Sequence, residues 1–214
     1  MLHRQGHRRG PVPAPAAPVV RGRCPHPVRT LAISTSSPAL SIALVDGAAV
    51  LARHHALIGR GHAEALVPAV QALLAGRVPG RILVDVGPGS YTGIRIGIAG
   101  ARALGLAWGV PVHGISALSL VAAQGFAADA GLSQLWALID AGRGQVAGAR
   151  LGRDLVAGGH GLLAGPADDG VALAGAGALL WGRPAVHGDH PDAGFAGVLP
   201  DAALLSPQAL YAGD

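Results

Sequence analysis

A chain of 214 residues, half of them apolar and 13% charged, is long enough for one good core or two small lobes and too apolar to be disordered. Its formal charge of +4 is concentrated in residues 1–29, which hold Arg4, Arg8, Arg9, Arg21, Arg23, Arg29 and no acid. The rest of the chain is close to neutral, which argues against a nucleic-acid surface built on clustered positive charge. The single cysteine, Cys24, excludes an intramolecular disulfide framework and points to a reducing compartment.

Residues 1–29 are rich in Arg and Pro and lack the apolar run of a secretory signal, so they read as a disordered extension. All sixteen basic residues are arginine and asparagine is absent, the mark of a GC-rich codon bias, which lowers the weight of any Gly or Ala enrichment. Strands are expected over residues 28–34, 40–45 and 48–53, with Asp46-Gly47 as the hairpin turn between the last two. After a break at 59–61, residues 62–75 show helical periodicity, with Leu66, Val70, Leu73 and Leu74 on one side and Pro68 expected to kink it.

Residues 81–86 form an apolar strand ended by Gly87-Pro88-Gly89-Ser90. A helix follows, with Thr92 as expected N-cap, Trp108 near its end and Gly109 as its stop, and a new strand starts at Val110. The order β-β-β-α-β-α-β fits a mixed sheet with helices on its faces, as in ribonuclease-H-like half-domains. Residues 103–128 carry no formal charge, but Pro111, His113 and Gly114 split them, so a buried α/β core is expected rather than a membrane span. Beyond lie an expected helix over 116–126, strands over 134–140, 145–151 and 171–174, and a closing helical turn over 204–211. These describe a smaller, glycine-diluted lobe.

The glycine turn is the strongest motif. Gly87, Gly89 and Gly93 give GxGxxxG, one residue longer than the dinucleotide fingerprint, and Val112-His113-Gly114 offers no acidic residue at the next strand end. Without lysine there is no Walker loop, and Pro88 and Thr92 around Ser90 exclude a nucleophile elbow. The turn either cradles an anion on its backbone N–H groups or simply reverses the chain.

Three segments, LAISTSSPALSIALVDG (31–47), GHAEALVPAVQALL (61–74) and VGPGSYTGIRIGIAGARALG (86–105), resemble the TsaB (YeaZ) family in order and spacing. LIDAGRGQVAGARL (138–151) and SPQALY (206–211) add weaker support. The resemblance implies an ASKHA, actin-like α/β fold of two related lobes, here residues 30–115 and a reduced 116–214. It implies a cytoplasmic, non-catalytic subunit in the formation of threonylcarbamoyladenosine in tRNA. The partners implied are the catalytic paralogue TsaD, as a heterodimer, and the ATPase TsaE. A homodimer is implied for the free chain, and tRNA contact only through the complex.

The residues agree with a non-catalytic part. Where the catalytic paralogue carries its His-x-x-x-His metal motif, Ala117 and Val121 stand here, and neither binds metal. His54 and His55 are expected on opposite strand faces, and His62 and Glu64 on different helix faces, so no site residue is assigned to catalysis or to a metal. The complex is expected to use ATP and a metal held by TsaD. At the end of strand one, where ASKHA ATPases place a carboxylate and the TsaB family commonly has Asp, Ser34 stands. Thr35, Ser36, Gly89, Ser90 and Thr92 either line a vestigial nucleotide cleft or serve as satisfied turn and cap groups. The small-residue stripes Ala65, Ala69, Ala72 and Gly93, Gly97, Ala101, with Arg95 and Arg102 on the second helix, either form the partner interface that the resemblance implies or pack inward on this chain's own sheet. The competing readings are a stand-alone metal-dependent peptidase, which lacks a metal pair or activated nucleophile, and a weak ATPase, opposed by Ser34.

Overall fold

The computed structural model describes residues 29–165 and 169–211. The expected disordered extension, with Cys24, lies outside the described residues except for Arg29.

The first sheet is built from β1 (Thr30–Ser34), β2 (Ala39–Asp46), β3 (Ala49–Leu57), β4 (Arg81–Asp85) and β5 (Val112–Ile115), in the order β3-β2-β1-β4-β5. β1, β4 and β5 are parallel, and β2 and β3 complete an antiparallel meander. The hairpin turn falls one residue later than expected, at Gly47-Ala48, because Asp46 pairs with Ala49 and Gly47 supplies the positive φ.

Strand alternation divides the apolar side chains between two cores. Leu31, Ile33, Ile42, Ile82 and Val84 face α1 (His62–Leu74) and α2 (Tyr91–Trp108). Ala32, Ala43, Val45 and Leu83 face α3 (Ala117–Ala128). α1 continues through Pro68, which lies on its exposed side, while Leu66, Val70 and Leu74 are buried. The expected cap of α2 is corrected: Ser90, not Thr92, is the N-cap, its hydroxyl accepting from the Gly93 N–H at 3.2 Å. Gly109 ends the helix with φ 65°.

α3 is buried on every side from Ala117 to Phe126, capped by Ser116. It lies between the two sheets, which explains the long uncharged run: such a helix has no solvent face to mark with charge. Among the described residues no helix is long and apolar enough to cross a membrane.

The second sheet is β6 (Gln134–Gly142), β7 (Gln145–Gly152), β8 (Gly161–Leu163) and β9 (Leu173–Ala174), in the order β8-β7-β6-β9, with the short α4 (Ala176–Leu180) against β6. The chain then returns to the first sheet. A 3-10 turn at Ala193–Val198 packs on β1, β2 and β3. The helical turn expected over 204–211 is also corrected. Leu205 exchanges two 2.8 Å backbone hydrogen bonds with Gly114, and the Leu210 N–H donates to Val86 O at 2.7 Å. This extended strap satisfies backbone groups at the free edge of β5, which a helical turn would leave open.

Candidate functional site

A cleft of about 810 Å³ opens between the glycine turn and the β6–β7 hairpin. Ser36, Gly89, Ser90 and Thr92, four of the five residues expected there, line its first-sheet wall. Thr35 does not reach it: the side chain is buried and donates to Gly93 O at 2.7 Å. The opposite wall carries Asp140, Arg143 and Gln145, and Tyr211 borders the cleft on the near side, stacked on Tyr91. Asp140 Oδ1 accepts from the Gly142 N–H at 2.7 Å within its own turn.

Beneath this wall lies a carboxylate that the reading of Ser34 overlooked. Asp85, at the end of β4, is fully buried. Its Oδ2 accepts from Ser34 Oγ at 2.6 Å and Ser36 Oγ at 2.5 Å, and its Oδ1 from the Gly87 N–H at 2.8 Å. The contact is set by long-range register: β1 and β4 pair with Ile33 beside Val84, which places Asp85 next to Ser34. Burial pushes the Asp85 carboxyl above the usual carboxylate range, an effect the three hydrogen bonds partly offset. The cleft floor thus contains an acid, but one spent on clasping the two loops that form it.

The glycines are explained by that clasp. A Cβ on Gly89 would strike Ser36 O, on Gly93 Thr35 O, and on Gly97 the Thr35 hydroxyl. The Ser90 N–H donates to Ser36 O at 2.6 Å. The motif therefore serves close approach of the 35–37 loop to the turn and to α2.

The expected partner interface needs revision on α2. Gly93, Gly97 and Ala101 are buried against this chain's own loop and sheet and present nothing outward. Ile94, Ile98 and Gly105 share that inner face. Arg95 and Arg102 are exposed, but both engage the C-terminal strap. Arg95 Nε donates to the Tyr211 hydroxyl at 3.1 Å, and Arg102 donates to Pro207 O at 2.7 Å. On α1, Ala65 and Ala69 are half-buried and Ala72 is exposed. The two helices touch where Gly100 admits the Leu66 side chain.

The expected split of the histidines holds. His55 Nδ1 lies 2.9 Å from Ser41 Oγ, His54 lines a shallow groove against α1, and buried His62 approaches Ala39 O at 3.4 Å. Ser41, His55 and buried Asp192 form a second polar cluster where the returning chain meets the first sheet. There Arg53 pairs with Asp192, whose Oδ1 takes the Gly194 N–H at 2.8 Å. Ser41 is fully buried, so this grouping has no substrate access. Ala117 and Val121 are buried core residues, and among the described residues no three His, Cys, Asp or Glu side chains are grouped to hold a metal ion.

Two sheets around a buried helix, with a cleft between a glycine turn and a facing hairpin, define an ASKHA, actin-like α/β protein. The profile of the family described as TsaD, tRNA N6-adenosine threonylcarbamoyltransferase, matches residues 54–175, more than half of the chain. YeaZ from Pseudomonas aeruginosa superposes with a TM-score of 0.65 at 28% identity, over 78% of this chain and 88% of that one. TsaB of Bacillus subtilis is 38% identical over 121 residues, 54% of this chain and 52% of its own length. TsaB of Escherichia coli is 39% identical over 134 residues, 59% of this chain and 56% of its own. The chain belongs to the TsaD family and, within it, to the TsaB (YeaZ) group. It spans about half the length of the curated relatives it matches.

Proposed function

We propose that this protein is the non-catalytic subunit of the cytoplasmic machinery that forms threonylcarbamoyladenosine in tRNA, where it binds and orders the catalytic TsaD subunit. Kinship with proteins named for that biosynthesis supports the pathway. The Asp85 clasp carries the non-catalytic reading. Phosphoryl transfer needs a carboxylate facing the cleft to hold a phosphate-bridging cation. Here the central acid is buried behind two serines, and Asp140 on the far wall is held in its own turn. ATP and metal chemistry then belong to TsaD, TsaE joins the larger complex, and tRNA is reached through that complex.

Docking through the α1–α2 face accounts for the remaining exposed features, Val67 and Ala72 on α1 with Tyr91, Arg95 and Arg102 on α2. An interface of roughly 1,600 Å² in total is ordinary for a stable pair. Ala101, buried in this chain, tests folding rather than docking, so the informative variants are Val67→Asp and Ala72→Arg. Co-expression with the TsaD of the same genome, followed by sizing, is expected to give a heterodimer with the wild type and separate proteins with either variant. A complex that survives both changes removes this face from the account.

A further inference from the structure

The strap of residues 205–211 ends at the mouth of the cleft, where it touches both walls. Its hold on the first sheet is redundant. Leu205 exchanges backbone hydrogen bonds with Gly114, the Leu210 N–H donates to Val86 O, and Arg102 donates to Pro207 O. A Cβ on Gly87 would strike Leu210 O, and one on Gly114 would strike Ser206 O, so both glycines admit the strap. At its end the Tyr211 ring stacks on Tyr91 with centroids 5.0 Å apart, and its hydroxyl accepts from Arg95 Nε at 3.1 Å.

The hold on the second sheet is slight by comparison. His160, the residue before β8, brings Nε2 to 3.2 Å from Tyr211 O. A carbonyl oxygen only accepts, so Nε2 carries the proton and donates it. The contact is half-buried, and Tyr211 and the neighbouring Leu162 both line the cleft. Elsewhere the two sheets are joined through tightly packed parts, the buried helix α3 and the returning segment around Asp192. The walls of the cleft thus share a packed hinge and, at the mouth, one hydrogen bond from His160 to the strap.

We propose that Tyr211 is a latch that sets the width of the cleft, with His160 as its catch. The unequal anchors decide where it opens. Loss of the His160 contact frees the β6–β8 wall to swing on α3, while the strap stays seated on the first sheet by several bonds and a ring stack. The device is internal to the chain and is independent of the docking role proposed above.

Spin labels on Arg60→Cys, at the first-sheet side, and Arg143→Cys, at the hairpin tip, read the width of the cleft in the full chain; both positions are exposed, and Cys24→Ser removes the native thiol. The unaltered latch is expected to give one narrow distance. One neutral hydrogen bond corresponds to roughly fivefold in an equilibrium, so His160→Ala is expected to raise the ratio of long to short distances about fivefold. His160→Gln keeps a donor and is expected to restore the narrow distance. Tyr211→Phe keeps the ring stack and the carbonyl and leaves it unchanged, whereas Tyr211→Ala widens it. Distances unaltered in both His160→Ala and Tyr211→Ala overturn the inference and leave the strap as an edge cover alone. Equal widening in His160→Ala and His160→Gln also overturns it, because position 160 then acts by packing. So does a Tm that falls in step with the widening, the mark of general loosening.

Discussion

Ser34, at the end of β1, donates its hydroxyl to the carboxylate of Asp85, at the end of β4, over 2.6 Å inside a fully buried site. Ser36 completes the pair of hydroxyls on the same oxygen. An acid at the mouth of a glycine turn is thereby converted from a ligand-facing group into an internal fastener of the cleft wall.

Replacing Asp85 with Ala leaves two hydroxyls and the Gly87 N–H without their buried acceptor, at a cost of about 3 kcal/mol. The folded-state pKa of Asp85 is raised, so the native state holds its proton more tightly than the unfolded chain. Stability from this group is full below the unfolded value and falls as pH rises through the folded one. Denaturant titrations across pH are expected to show this decline in the wild type and not in Asp85→Asn.

Gly93→Ala and Gly97→Ala each drive a methyl group into Thr35. Overpacking of this kind costs about 1–3 kcal/mol. Gly109 and Gly47 meet nothing within 4 Å, so a lowered Tm in the two helix variants is read against substitutions there, where only the backbone strain operates. Equal losses at all four positions would show that close approach is not what the motif supplies.

His190 is half-buried, and burial together with the neighbouring His55 lowers its pKa, against weaker opposition from Asp189 and Asp140. The unfolded chain therefore binds the proton more readily. Stability from this group is present above an unfolded value near 6.5 and is lost as pH falls through the folded one. His190→Gln is expected to flatten the acid limb of the stability curve, measured by thermal melts between pH 7.5 and about 5.

Asp192→Ala removes the acceptor shared by Arg53, Ser41 and the Gly194 N–H where the returning chain joins the first sheet. Arg53 is half exposed and is rehydrated, so the loss is about 2–3 kcal/mol rather than that of a fully buried ion pair. Hydrogen exchange is expected to quicken first at residues 193–198; uniform quickening across both sheets would contradict a local clasp.

Most of the fold was legible because it rests on periodicity: the alternating strands, the Leu66/Val70/Leu74 stripe and the all-apolar α3 each state their own burial. What stayed hidden depends on long-range register. Nothing local marks Asp85 as the partner of Ser34, fifty-one positions away, and nothing distinguishes a small stripe facing a partner from one facing Thr35. The strap was misread for the same reason. SPQALY has helical composition, and only the free edge of β5 makes it extended.

The most direct test is tRNA modification by the TsaD of the same genome, reconstituted with this protein as wild type, as a cleft variant and as a docking-face variant. The account predicts full threonylcarbamoyladenosine formation with Asp140→Asn in the cleft, loss with Ala72→Arg on the outer helix face, and no turnover by this protein alone. Activity abolished by the cleft variant and spared by the helix variant would contradict it.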